Sequence, residues 1–192
     1  MLLKRIALIC LRILGWDIDQ TFPEVKKSII IFAPHTSYFD GLFGKLYLIN
    51  AGVKHVFLSK KEFFRFPYNF FFNAYGSIPV YKDIAFIDKV VKMFDSNDKL
   101  HIILSPEGQL APTSRWKKGF YYMAVKANVP IIVGFIDYEK RRVGFKQVIW
   151  NVGTCEETMI EISRQYRNVT AKYPERFLID SRYRKHFDNN TD

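Results

Sequence analysis

A single α/β domain, built on a mixed and mostly parallel β-sheet flanked by helices, is what this 192-residue sequence predicts. Three observations lead there. Residues 28–32, 100–104 and 129–136 are short apolar runs rich in β-branched residues, the pattern of strands buried on both faces. Helical periodicity alternates with them, over residues 39–51, 84–97 and 116–128. The chain is also long enough, with 48% hydrophobic residues, to bury one sizeable core.

Residues 1–16 read as an amphipathic helix carrying Lys4, Arg5, Arg12 and a terminal Trp16. Arg12 interrupts the apolar stretch and no small-residue cleavage site follows, so a secretion signal is not expected. Such a helix suits the membrane interface, or it packs on the protein's own core; its composition leaves both open. Residues 17–27 form a polar connector containing Pro23, and the strand at 28–32 follows. A helix over 39–51 and a strand over 53–59 come next.

The stretch 63–72 is the most aromatic in the chain, with Phe63, Phe64, Phe66, Tyr68, Phe70, Phe71 and Phe72. A core can use some of these rings; any exposed part would make a lipid-facing patch or the wall of an apolar channel. Residues 76–82 read as a short strand after a Gly76 turn. Residues 84–97 read as a helix with Ile84, Ile87, Val90, Val91 and Phe94 on one face. The strand at 100–104 runs into Ser105-Pro106-Glu107-Gly108. The helix over 116–128 leads to the strand at 129–136, closed by Asp137 and Tyr138. After the basic turn Lys140-Arg141-Arg142, residues 143–149 suit an antiparallel strand and 156–172 a surface helix. We expect three parts: an N-terminal helix at 1–16, the main domain at 17–180 and a flexible polar tail at 181–192.

The net charge of +10 favours an anionic partner: lipid head groups, a phosphorylated cofactor, an acidic carrier protein or nucleic acid. Nucleic-acid binding would rest on charge alone, because no motif supports it and the aromatic residues lie apart from the basic runs. Cys10 and Cys155 are too few and too distant for a disulfide framework, and suit reduced thiols of a cytosol-facing protein. No Cys/His grouping has metal-ligand spacing. No uncharged apolar run reaches the roughly eighteen residues of a membrane span.

The chemistry gathers at Ala33-Pro34-His35-Thr36-Ser37-Tyr38-Phe39-Asp40-Gly41, a strand-to-helix turn of the kind where α/β folds carry their sites. With His35 in the loop and Ser37 capping the helix, Asp40 falls in the first turn and can reach back toward the imidazole. That makes a base with an orienting carboxylate. Taken alone, the pair also fits a loop histidine capping a backbone carbonyl, so the rest of the chain has to decide.

Four motifs occur in a fixed order: His35-Thr36-Ser37-Tyr38-Phe39-Asp40, then Gly76-Ser77-Ile78-Pro79-Val80-Tyr81-Lys82, then Pro106-Glu107-Gly108 with Trp116-Lys117-Lys118-Gly119-Phe120, and finally Val129-Pro130-Ile131-Ile132. In that order they resemble the glycerolipid acyltransferase superfamily, the 1-acylglycerol-3-phosphate acyltransferases and their relatives. The resemblance runs from about residue 12 to residue 170 and is greatest to short bacterial members whose first motif begins Pro-His-Thr-Ser.

The resemblance implies an O-acyltransferase. It would move a fatty acyl group from acyl-CoA or acyl carrier protein, used as substrate and with no cofactor, to a hydroxyl of a lysophospholipid-type acceptor. By that likeness His35 is the general base, and Asp40 holds its imidazole in the useful tautomer. The physics agrees, because an unperturbed imidazole is largely neutral near pH 7 and general-base help is worth about 10²–10⁴ in rate. A thioester is already activated, and the chain has no G-x-S-x-G elbow. Peripheral contact with the cytoplasmic face of the cell membrane would follow.

Two departures from the pattern matter. The second motif ends in Lys82 rather than Arg, keeping charge but losing the two-pronged fork. Gln109-Leu110 stand where the family has Thr-Arg, and a leucine cannot pair with a phosphate. Either Arg115, Lys117 or Lys118 substitutes, or the acceptor is of a non-phosphate, aminolipid type. Lys82, Glu107, Gly108, Arg115, Lys117 and Lys118 are therefore the candidate substrate-binding residues, with Glu107 better suited to ordering the loop than to proton chemistry. A non-catalytic lipid-binding protein on the same fold is the competing reading.

Overall fold

The computed structural model describes residues 1–81 and 83–188. Among them, strands β1 (Asp17–Ile18), β2 (Lys27–Ala33), β3 (His55–Lys60), β4 (Ser77–Val80), β5 (Leu100–Leu104), β6 (Ile131–Asp137) and β7 (Arg142–Ile149) form one sheet. Its order is β1-β7-β6-β2-β5-β3-β4. Every neighbouring pair is parallel except β6 and β7, which are antiparallel across the basic turn. The helices are α1 (Leu2–Ile13), α2 (Tyr38–Ala51), α3 (Asn69–Tyr75), α4 (Ile84–Asp95), α5 (Gly119–Ala127), α6 (Cys155–Gln165) and α7 (Ser181–Asp188). The mixed, mostly parallel sheet flanked by helices is the architecture expected from the sequence.

The central strand is β2, where Ile29 pairs with Ile102 of β5 and Ile131 of β6. Its residues alternate between the two cores. Ile29, Ile31 and Ala33 face the side covered by α4, α5 and α6, while Ile30 and Phe32 face α2 and α1. Both layers must be apolar, which is why the run has no polar alternation; each large buried side chain contributes about 1.5–3 kcal/mol. Phe32 lies flat against its β6 neighbour Gly134, where a Cβ would meet the ring at 2.7 Å, so a glycine is required there.

Three elements differ from the sequence expectation. The buried stripe of α4 is Phe86, Val90 and Phe94 with Ile87 beside it, and Ile84 is 75% exposed. The cause is the start of the helix: Asp83 accepts from Phe86 N–H at 2.7 Å, which leaves Ile84 in an overhanging first turn. Helix α6 stops at Gln165 and is a core helix rather than a surface one, burying Met159 and Ile162, with the wholly buried Tyr166 directly after it. Directly after the helix, the Tyr166 hydroxyl donates to Gly134 O at 2.7 Å. Of the polar tail, residues 181–188 form α7, anchored by buried Tyr183 and by Arg182, which pairs with Asp180 at 2.6 Å. Residues 189–192 lie outside the described residues.

Helix α1 has two apolar sides. Ala7 and Leu11 are buried against α2, and Lys4 Nζ donates to Ala51 O at 3.1 Å at the end of α2. Leu2, Ile6, Ile9 and Ile13 lie on the opposite side and are exposed. The inner face therefore packs on the protein's own core, and the outer apolar face is left uncovered. Trp16 belongs to the core, stacked on Phe43 with ring centroids 4.1 Å apart. No described helix is long and apolar enough to cross a membrane.

The aromatic stretch folds into a 3-10 turn (Lys61–Phe64) and α3. Phe63 and Phe72 stack on each other at 4.6 Å, whereas Phe66, Tyr68, Phe70 and Phe71 are exposed. Tyr75 ties this lobe to α2, donating to Gly41 O at 2.5 Å and receiving Lys45 Nζ on its own carbonyl.

Candidate active site

Three neighbouring strands, β5, β2 and β6, run parallel and end side by side, so the residues just past their carboxyl ends share one edge of the sheet. These residues are Glu107 after β5, His35 after β2 and Tyr138 after β6.

The turn after β2 is organised by Asp40. Ser37 is the N-cap of α2, and its side chain accepts from Phe39 N–H at 3.3 Å. Asp40 is the third helical residue and closes the capping box from the other direction, its Oδ2 accepting from Ser37 N–H at 2.8 Å and Thr36 N–H at 2.7 Å. The same oxygen lies 3.3 Å from His35 Nδ1. The five-residue separation therefore has a local cause: an acid at this capping position can hold the turn and face a histidine two residues before the cap. Asp40 is 4% exposed, whereas the His35 side chain keeps 29% of its surface open.

Glu107 supports the loop from the β5 side. Its Oε2 accepts from His35 N–H at 2.7 Å and from Ser105 Oγ–H at 3.3 Å. Burial pushes its carboxyl up to about 8, against the pull of the His35 and Ser105 hydrogen bonds, with Asp40 adding to the upward shift. At neutral pH it is therefore mostly a neutral acid, and the buried Asp40 carboxyl is the one that faces the imidazole. Gly108 follows with φ +66°, in the left-handed region that glycine occupies without strain.

The remaining candidates separate. Lys117 stays with the site loop: its N–H donates to Pro106 O at 2.7 Å and its stem lies beside Gly108. Lys118 turns to α7, with its ammonium 5.5 Å from the Tyr183 ring centroid; hydrogen bonding to Tyr183 raises its pKa. Arg115 is exposed, its backbone folded into a turn with Thr113. Gln109 Nε2 donates to the carbonyls of Ala111 and Pro112, both at 3.4 Å. Lys82 lies outside the described residues. Among the described residues no cluster of His, Cys, Asp or Glu suits a metal ion.

Two contributions were not foreseen from the sequence. Tyr138 Oη donates to Asp40 Oδ1 at 2.6 Å, and burial, together with this bond, keeps the phenol protonated well above its ordinary range. Its position just after a buried strand was the available signal. The segment after α6 returns across the strand ends: Tyr138 N–H donates to Thr170 O at 2.9 Å, and Tyr173 N–H donates to Thr36 Oγ1 at 3.2 Å. No local pattern announces that contact.

The fold is similar to that of the 1-acyl-sn-glycerophosphate (LPA) acyltransferase PlsC from Thermotoga maritima. The TM-score is 0.53 at 14% identity, over 77% of this chain and 67% of that one. No curated protein matches the sequence. The acyltransferase family profile matches residues 17–135, well over half the chain and the whole stretch that carries His35, Asp40 and Glu107. On that match the chain belongs to the acyltransferase family.

Proposed function

We propose that this protein transfers a fatty acyl group from an acyl thioester, acyl-CoA or acyl carrier protein, to a hydroxyl of a lysophospholipid-type acceptor at a membrane surface. The observation that carries the reading is the His35–Asp40 pair: Nδ1 faces a buried carboxylate at 3.3 Å while part of the ring stays open. Asp40 favours the tautomer with the proton on Nδ1, leaving Nε2 as the base. Nε2 takes the proton of the acceptor hydroxyl as its oxygen attacks the thioester carbonyl. The new C–O bond forms, the C–S bond breaks, and the departing thiolate takes the proton back from the imidazolium. The neutral Glu107 holds the His35 backbone and takes no proton in this scheme.

Two exposed apolar surfaces support contact with lipid: the outer stripe of α1 and the Phe66–Tyr68–Phe70–Phe71 group. The net charge of +10 adds attraction to an anionic bilayer, at about 1 kcal/mol per Lys or Arg near its surface. Of the expected substrate-binding cations among the described residues, Lys117 is the one beside Gly108.

Incubating the purified protein with acyl-CoA or acyl carrier protein and a panel of lyso-lipids tests the reading by release of free thiol. His35→Ala is expected to abolish that release; unchanged turnover would remove the mechanism. The Gln109-Leu110 departure favours a second reading, a lipid-binding protein without turnover. Binding of lyso-lipids with no thiol release from any of them would select it.

A further inference from the structure

The C-terminal segment brings a cation to the site that the sequence motifs do not contain. Tyr173 N–H is bonded to Thr36, the residue after His35, and this fixes the backbone of 172–173 against the turn. Lys172 lies over the ring of Phe39 in the first turn of α2, its Nζ 3.7 Å from the ring centroid. The side chain is half-buried, and among the described residues no carboxylate lies within 4 Å of the ammonium. Its partners among the described residues are aromatic faces, Phe39 and, at 5.7 Å, Tyr173. An ammonium held by π-faces alone keeps its hydrogen-bond donors free for an anion. The neighbouring acids are engaged elsewhere: Glu139 with Thr170, Glu175 with Arg176, and Asp40 with the turn and Tyr138. Gln109 is turned to its own loop, donating to the Ala111 and Pro112 carbonyls, and the next residue, Leu110, carries no charge.

We propose that Lys172, seated on Phe39 beside the His35 turn, binds the phosphate of the acyl acceptor and so sets which hydroxyl meets the imidazole. This rests on the acyltransfer reading above. It adds a point of anionic recognition for the acceptor in the segment following α6, besides Lys117 of the loop after β5. A phosphate could also come from the donor, since CoA carries several, and the test separates the two sources.

The test is a binding measurement that needs no turnover: titration calorimetry of the full chain with a short-chain lysophosphatidate, the matching uncharged monoacylglycerol, and CoA. Lys172→Gln is expected to weaken lysophosphatidate binding by about tenfold or more, with Lys172→Arg restoring most of it, because a hydrogen bond to a charged group is lost and regained. Monoacylglycerol and CoA affinities should be the same in all three proteins. Unchanged lysophosphatidate affinity in Lys172→Gln, no lysophosphatidate binding by the wild type, or a loss confined to CoA would each overturn the assignment. Matching melting temperatures check that the variants fold. Because binding is read without thiol release, an enzyme that proves inactive would fail the reaction scheme while leaving this result intact.

Discussion

Tyr138 and Asp40 meet across 2.6 Å although 98 residues separate them in sequence. The carboxylate behind His35 is therefore held from two directions, by the α2 turn through Oδ2 and by the end of β6 through Oδ1. Tyr138→Phe removes only the hydroxyl, since the ring still packs against Trp16 at 4.9 Å. We expect kcat to fall about tenfold with both KM values unchanged, the scale of losing one hydrogen bond to a charged group. Steady-state kinetics beside a melting curve decides it; a lower melting temperature with full kcat would make Tyr138 structural alone.

Asp40 caps the helix and faces the imidazole, and one substitution separates the two tasks. Asn retains an oxygen for the capping-box donors but has no charge to favour Nδ1–H. Asp40→Asn should keep the helical circular-dichroism signal while losing about 10²–10⁴ in kcat. Unfolding of the variant, or wild-type turnover, would contradict this division.

Glu107 makes stability depend on pH in a defined direction. Its pKa rises from 4.5 in the open chain to about 8 when buried, so the folded state keeps a proton that the unfolded state loses. Stability should therefore fall as pH rises from about 4.5 to about 8, and this contribution is flat outside that window. Glu107→Gln still accepts from His35 N–H but does not titrate. Urea unfolding across the window should show the variant gaining on the wild type toward the alkaline end; parallel curves would refute the shift.

His101 acts in the opposite direction. It is buried, shares a hydrogen bond with Ser28 Oγ at 2.8 Å, and burial lowers its pKa from 6.5 to about 4. The unfolded chain takes up a proton that the folded one refuses, so stability should drop as pH falls from about 6.5 to about 4. The paired substitution Ser28→Ala/His101→Phe leaves no orphaned hydroxyl and should flatten that limb in the same urea series. An unchanged acid limb would show that other groups govern it.

Removing residues 1–16 would confound membrane contact with folding, because Leu11 and Trp16 are core residues. Point changes on the exposed stripe avoid this. Ile6→Ser/Ile13→Ser and Phe70→Ser/Phe71→Ser should each weaken partitioning onto anionic vesicles by about tenfold or more, given about 1.5–3 kcal/mol per apolar side chain fully buried. Melting temperatures should barely move. Vesicle sedimentation is the measurement, and equal partitioning would assign these surfaces to another partner.

The amino-acid sequence by itself determined whatever depends on neighbours along the chain. The three apolar runs became the adjacent strands β2, β5 and β6, because a strand that alternates no polar residue must be covered on both faces. Ser37 and Asp40 took their capping positions because that bonding spans only three residues. Tertiary structure decided the rest. Whether Ile84 or Phe86 faced inward hung on where Asp83 started the helix. Helix α6 is a core helix because Met159 and Ile162 pack with Tyr166 into the cluster on that side of the sheet. The partners that complete the site, Tyr138 on Asp40 and Tyr173 with Lys172 on the His35 turn, come from chain about 100 residues or more away. They meet because parallel strands deliver their carboxyl ends to one edge of the sheet, a convergence produced by strand order and invisible to any local window.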